Sequence, residues 1–543
     1  MTVRSLFSPS LLLLGSVWLT AAHAAPVASA AQSTPTAAAS AFTPATLFDK
    51  KTTSLRVLPN GVRSVVLSTR EAGTTPNTGR SGVVSVQVWV RAGSRFEQST
   101  NAGAASVIEA ACLRSSQGYV ASAGPDGSGP RGVLEGMGAQ VGSLTSRDST
   151  FYSATTAAGF YPSALHVLSD GVLHPRLTDA DIAATKDAPE GQALVRSSDP
   201  LSLASDAAYN AAFVNHPYKR PSGGSLQSIE ALKPAQIRAY HQARYSGGNI
   251  SVIVVGDVDA AQAHALIARE FGAAPKSAAQ PTIRAEVAPS APKTVTLNRP
   301  LRASAIALAW NSPSIVEPND VVAMDVLLSS WKEGTDAALR VPLLGRNSLQ
   351  ETPEAPSAED DADDDAVALA YDVDFLTQRD PGLMVVTMIT PLATRDFAIK
   401  TLLGEVDRVR REGLSDKELT RAKSALRNQY LAQSETPSGA AGALGFYDMI
   451  SSYDFAVSYL DRASRVTGAD IKRVAEKYLS PQKYVRVVIE PSAKKPDAPE
   501  DPDIITASLP YRATSVLQSA KPVRLVARKA TAQRATSLHL NAR

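Results

Sequence analysis

IRAYHQARYSGGNISVIVV, residues 237–255, and IKRVAEKYLSPQKYVRVVI, residues 471–489, share one layout. Each opens on an isoleucine and a basic residue (Ile237-Arg238, Ile471-Lys472) and runs through a helical stretch to a tyrosine (Tyr245, Tyr478). Each then ends in an apolar strand, residues 250–255 and 485–489. An early alternating strand precedes each copy: Val84, Val86, Val88 and Val90 before the first, Ile306, Leu308 and Trp310 before the second. The repeat predicts an α+β fold of two homologous halves, each a mixed, mainly antiparallel sheet packed with helices, with a clamshell-like closure of the halves left open. Residues 415–433 read as a long helix opened by a capping box of Ser415 and Glu418.

Composition bounds the function. The 543 residues carry 44% apolar and 20% charged side chains, enough for ordinary cores in two or more domains. A net charge of +3, with Lys and Arg spread along the chain, leaves no electrostatic footprint for nucleic acid. Cys112 is the single cysteine, so no intrachain disulfide and no cysteine-built zinc cage can form. It reads as a small buried apolar residue, with a reactive thiol the rival reading.

Arg4, an apolar stretch over residues 11–19 and the small-x-small site Ala22-His23-Ala24 read as a secretory signal peptide over residues 1–24. The expected address is secreted or periplasmic; a non-cleaved anchor is the rival reading, against which the apolar stretch is shorter than the roughly 20 residues a span needs, and no membrane span is expected after cleavage. Residues 25–50 then read as a flexible leader rich in Ala, Ser, Thr and Pro. The expected organisation continues with a first domain over 51–275, a linker over 276–295, a second domain over 296–491 and a tail over 492–543. An acidic insertion near residues 346–368 interrupts the second domain, and its run Glu359-Asp360-Asp361-Ala362-Asp363-Asp364-Asp365 reads as a solvated loop; calcium binding is the weaker alternative, for lack of glycine-punctuated ligand spacing.

Several stretches fall in a telling order: Leu58-Pro59-Asn60-Gly61-Val62; Val90-Arg91-Ala92-Gly93-Ser94-Arg95; Asn101 to Ala110; His216-Pro217-Tyr218-Lys219-Arg220-Pro221; and Val254-Val255-Gly256-Asp257-Val258. Together they resemble the pitrilysin/insulinase family of zinc metallopeptidases, the inverzincins, which includes insulin-degrading enzyme and the mitochondrial processing peptidases. The resemblance covers roughly residues 55–491. It implies an H-x-x-E-H helix, in which histidines at i and i+4 hold zinc and the glutamate takes a proton from metal-bound water. The matching positions here are Ser106, Glu109 and Ala110, so only the glutamate remains. The third ligand of the family, a later glutamate, falls at Gln192 or its neighbour Gly191, with Glu190 close by.

Glu109 is therefore a remnant of the motif, read either as a solvated helix residue or as one retained in a polar cavity. Val107, Ile108 and Ala111 read as the core face of its helix. Tyr371 resembles the family's substrate-binding tyrosine, with a packed strand tyrosine as the alternative. Leu344 falls where the companion arginine is expected, with Arg340 and Arg346 nearby. No metal, no cofactor and no catalytic residue are expected. The resemblance implies a non-catalytic homologue that partners an active peptidase subunit of the same family and assists peptide binding. A stand-alone peptide-binding or scaffold protein is the alternative, and an active zinc metallopeptidase the remaining one.

Overall fold

The computed structural model describes residues 48, 52–70, 82–121, 128–277, 283, 286, 291–334, 336–346 and 366–492. The expected signal peptide, the leader apart from Phe48, the acidic run and the tail beyond residue 492 lie outside the described residues. Among the described residues no helix is long and apolar enough to cross a membrane.

Eleven strands are described: β1 (Thr53–Val57), β2 (Arg63–Ser68), β3 (Val83–Val90), β4 (Gln140–Thr145), β5 (Thr150–Ala157), β6 (Ile250–Gly256), β7 (Lys293–Arg299), β8 (Ser304–Asn311), β9 (Ala370–Phe375), β10 (Leu383–Thr390) and β11 (Val485–Pro491). They form two sheets, ordered β1-β2-β6-β3-β5-β4 and β7-β11-β8-β10-β9. In the first, β2 and β6 are parallel and the remaining neighbours antiparallel; in the second, β7 and β11 are parallel and the rest antiparallel. The second sheet thus repeats the first without β1, with β4 and β9 as the equivalent edges. The fold is α+β with two homologous halves, as the repeated pattern predicts.

The helices that frame the sites are α1 (Ala104–Arg114), α2 (Asp187–Ser198), α3 (Pro200–Ala212), α4 (Pro234–Arg244), α5 (Pro318–Lys332), α6 (Asp416–Ser434), α7 (Pro437–Ile450), α8 (Asp454–Arg465) and α9 (Gly468–Tyr478). Helices α4 and α9 are the two copies of the repeat, each feeding the inner strand β6 or β11. The Ser415–Glu418 capping box opens α6 as read from sequence, with both reciprocal hydrogen bonds made.

Both faces of the alternating strands β3 and β8 are covered. In β8, Ile306, Leu308 and Trp310 enter one core, while Ala305, Ala307 and Ala309 meet Leu203, Ala204 and Ala208 of α3 in another. Small residues on both sides let helix and sheet approach closely. The arrangement is reciprocal: α3, from the first half, packs on β8, β10 and β11, and α7, from the second, packs on β3, β5 and β6. Each half lends the other a helix. Gly445 makes the approach of α7 possible, since a Cβ there would stand 2.1 Å from Trp89 Nε1.

Polar contacts lock the exchange. Arg63 of β2 grips Asp448 of α7 with two bonds, Nε to Oδ2 at 2.8 Å and Nη2 to Oδ1 at 2.7 Å, and Ser251 Oγ donates to the same carboxylate at 2.7 Å. Arg91 donates to the carbonyls of Asp448 and Met449, which the end of a helix otherwise leaves open. A second junction joins Asp380, on the β9–β10 loop, to Arg95 Nε at 2.7 Å and His216 Nε2 at 2.9 Å. Burial pushes the Asp380 carboxyl up, but these two donors hold it down at about 2.

Candidate functional site

Helix α1 starts from Gly103, whose φ of +91° suits glycine. Its first backbone N–H groups are met by a buried side chain: Glu97 accepts from Gly103 N and Ala105 N, both at 2.9 Å. Burial raises the Glu97 carboxyl to about 7 in spite of these donors. Val107, Ile108 and Ala111 are buried in the core as expected from the helical period, and Cys112 is buried with its thiol pushed up to about 12 by desolvation.

Ser106 is buried, with Oγ 2.9 Å from the carbonyl of Gly103 and 2.8 Å from that of Gly223, so its one hydrogen serves the local backbone. Ala110 is half-buried. Glu109 is 6% exposed, which overturns the solvated reading and leaves the polar one. Its Oε2 accepts from Thr145 Oγ1 of β4 at 2.6 Å, and the Ser143 side chain and the Thr145 backbone also hydrogen-bond it. Burial nonetheless raises its pKa. The sequence offered no sign of this because Thr145 lies 36 positions away, on a strand that carries no apolar alternation of its own.

Gln192, on α2, is exposed, and Glu190 half-buried, its pKa raised by burial and by Glu230. One hydroxyl already committed to carbonyls, one methyl, one buried carboxyl held by threonine and one exposed amide do not fit a zinc ion, which takes imidazole, thiolate and carboxylate in a tetrahedron. Among the described residues no group of three His, Cys, Asp or Glu is arranged to hold a metal.

Tyr371, on β9, donates its phenol to the carbonyl of Trp331 at 3.0 Å and is half-buried. That contact favours the packed strand tyrosine over a side chain offered to substrate. Arg340 opens a short helix, Arg340–Leu344, on which Leu344 is half-buried; Arg346 follows it and is exposed.

A cavity of about 70 Å³ opens on the other side of β4. Residue alternation along the strand separates the two places: Thr145 reaches Glu109 on one face and Leu144 lines the cavity on the other. Leu144, Phe151 and Trp89 form one cross-strand row over β4, β5 and β3, with Trp89 and Phe151 stacked at 4.6 Å. The opposite wall comes from α5, α6, α7 and α8 and includes Asp325, Tyr430, Tyr447 and Tyr459. Sequence reading missed this wall, because an aspartate inside an apolar helix such as α5 was the one available signal and its neighbours come from four separate elements.

Two family models match the chain: Insulinase (Peptidase family M16) over residues 74–225 and Peptidase M16 inactive domain over residues 231–341. The chain belongs to the M16 family. An uncharacterized zinc protease of Mycobacterium bovis is 31% identical over 192 residues, which are 35% of this chain and 42% of that protein. The chain thus matches less than half the length of this curated relative. The probable mitochondrial-processing peptidase subunit beta of Arabidopsis thaliana is 23% identical over 460 residues, 82% of this chain and 80% of the relative. The crystal structure of a protease from Helicobacter pylori superposes with a TM-score of 0.70 at 19% identity, covering 81% of this chain and 99% of that one. That likeness concerns the M16 fold alone.

Proposed function

We propose that the chain is an exported, non-catalytic M16 homologue that acts as a partner subunit, assisting peptide binding by an active zinc peptidase of the same family. The observation that carries this reading is the chemistry of α1: Ser106 and Ala110 stand at the motif's ligand positions, and Glu109 is buried against Thr145. Without imidazoles to hold a zinc ion there is no metal to lower the pKa of a water, and a buried carboxyl alone is a weak substitute. Two further points support a binding role. Strand β4, beside Glu109, ends its sheet, so its outer backbone groups can pair with an extended peptide. The Arabidopsis relative is named as a subunit of a processing peptidase. Export rests on residues 1–24, and the destination is secreted or periplasmic.

The test is metal content and peptidase activity of the purified mature chain, alone and with a peptidase encoded beside it. Absence of zinc, no cleavage alone and a rise in the partner's activity support the subunit. Peptide binding without any partner effect transfers support to the stand-alone scaffold. Stoichiometric zinc with chelator-sensitive cleavage by this chain alone refutes both.

A further inference from the structure

The buried Asp448, Asp148 and Asp206 and the half-buried Asp380 come with cations. Asp448 has Arg63, Asp148 and Asp380 share Arg95, and Asp206 sits beside Arg147. Asp325 differs. It lies on α5, 4% exposed, and lines the cavity between the first sheet and the helices of the second half. Among the described residues one group donates to it, the Tyr459 phenol at 2.8 Å to Oδ2, and no Arg, Lys or His forms an ion pair with it.

A carboxylate is an acceptor with about four lone-pair sites, and one phenol leaves most of them unmet. Taking such a group out of water without a cation is strongly unfavourable. Desolvation accordingly lifts Asp325 to about 7 against the bond from Tyr459. Around it stand ring systems: Tyr459 stacks on Tyr430 at 4.7 Å, and Trp89 and Phe151 close the far side. Ring faces attract cations, most strongly where water is excluded. Ser434 adds an acceptor, since its hydroxyl donates to the Tyr430 carbonyl and keeps its lone pairs free for a ligand N–H.

We propose that this cavity binds a primary ammonium group carried on a short apolar stem, with the ammonium against Asp325 and the stem among the rings. A free alkylamine and a lysine side chain share that chemistry. The site is separate from α1, on the opposite face of β4, and stands whether or not the chain assists a peptidase.

The test is isothermal titration calorimetry of the full mature chain with n-pentylamine, its neutral counterpart n-pentanol, and Nα-acetyl-lysine amide. The amine is expected to bind at least about tenfold more tightly than the alcohol, and Asp325→Asn to abolish that preference. Tyr459→Phe, which removes the internal donor and leaves the carboxylate, should retain the preference. Ala443→Met, which narrows the cavity from α7, should weaken the amine. Equal binding of amine and alcohol, an amine preference that survives Asp325→Asn, or no binding by any ligand overturns the proposal. Tighter binding of the lysine amide than of pentylamine identifies a peptide side chain as the source of the ammonium, and the reverse order a small free amine.

Discussion

Replacing Arg63 by methionine tests whether one buried ion pair holds the halves together. Methionine keeps most of the stem volume and removes the guanidinium, so lost packing contributes little. Asp448 is fully buried while the Arg63 side chain is a quarter exposed, so the substitution strands the carboxylate on the side that water cannot reach. Removing one partner of a buried pair costs roughly 3–5 kcal/mol. Ser251 Oγ and the backbone N–H of Tyr453 still donate to Asp448, which places the expected loss near the lower bound, about 3 kcal/mol. That is a large share of a typical domain's stability of roughly 5–15 kcal/mol. Guanidinium chloride unfolding measures it, and because the pair spans β2 and α7 the transition should also broaden. Adding Asp448→Asn should recover part of the loss, since the double variant no longer buries a lone charge. A loss below about 1 kcal/mol with an unchanged slope would refute the assignment of this pair as the lock.

Three further outcomes are expected. Asp325 titrates at about 7 when folded and near its ordinary 3.8 when unfolded, so between those values the folded chain holds the extra proton and stability falls as pH rises. Asp325→Asn should therefore gain on the parent from pH 4 to pH 8 by on the order of a few kcal/mol in chemical unfolding, and a pH-independent difference sinks the idea. Ser106→His with Ala110→His should take up no stoichiometric zinc by metal analysis and should lose roughly 1–3 kcal/mol, because position 106 is buried against the Gly223 carbonyl. Residues 51–275 expressed alone should aggregate and be rescued by coexpression with residues 291–492, since without α7 the apolar face holding Trp89, Ile253 and Val255 is uncovered; a soluble, cooperatively folding fragment would count against the helix exchange.

Much of the fold was legible because it is local. Residues 237–255 and 471–489 each bring a helix and the strand that follows it, and their structural equivalence as α4–β6 and α9–β11 rests on periods of 3.6 and 2 within a short window. The Ser415–Glu418 box is likewise decided within four residues. What could not be read depends on partners far along the chain. Arg63 meets Asp448 across 385 positions, and Tyr459 meets Asp325 across 134. Nothing near Glu109 signals that Thr145 will cover it, so a helix glutamate there reads equally as solvated or enclosed. Tyr371 illustrates the reverse: its position matched a substrate-binding role, while its hydroxyl was needed to satisfy the Trp331 carbonyl.

The helix exchange also explains why the cavity exists where it does. A sheet face closed by its own helices could be filled by local side chains alone. Here α7 arrives from the other half, and its small residues Gly439 and Ala443 face the large row of Trp89, Phe151 and Leu144. Large meets small, which brings the backbones close at Gly445 and leaves space further along. Asp325 sits at that space because α5 packs against α8 through the Tyr459 bond, a contact made entirely within the second half. The cavity thus has one wall from each half, and strand β4 forms part of it with Leu144 while Thr145 holds Glu109 behind. A displacement of β4 moves both residues together, because neighbours on a strand share one backbone.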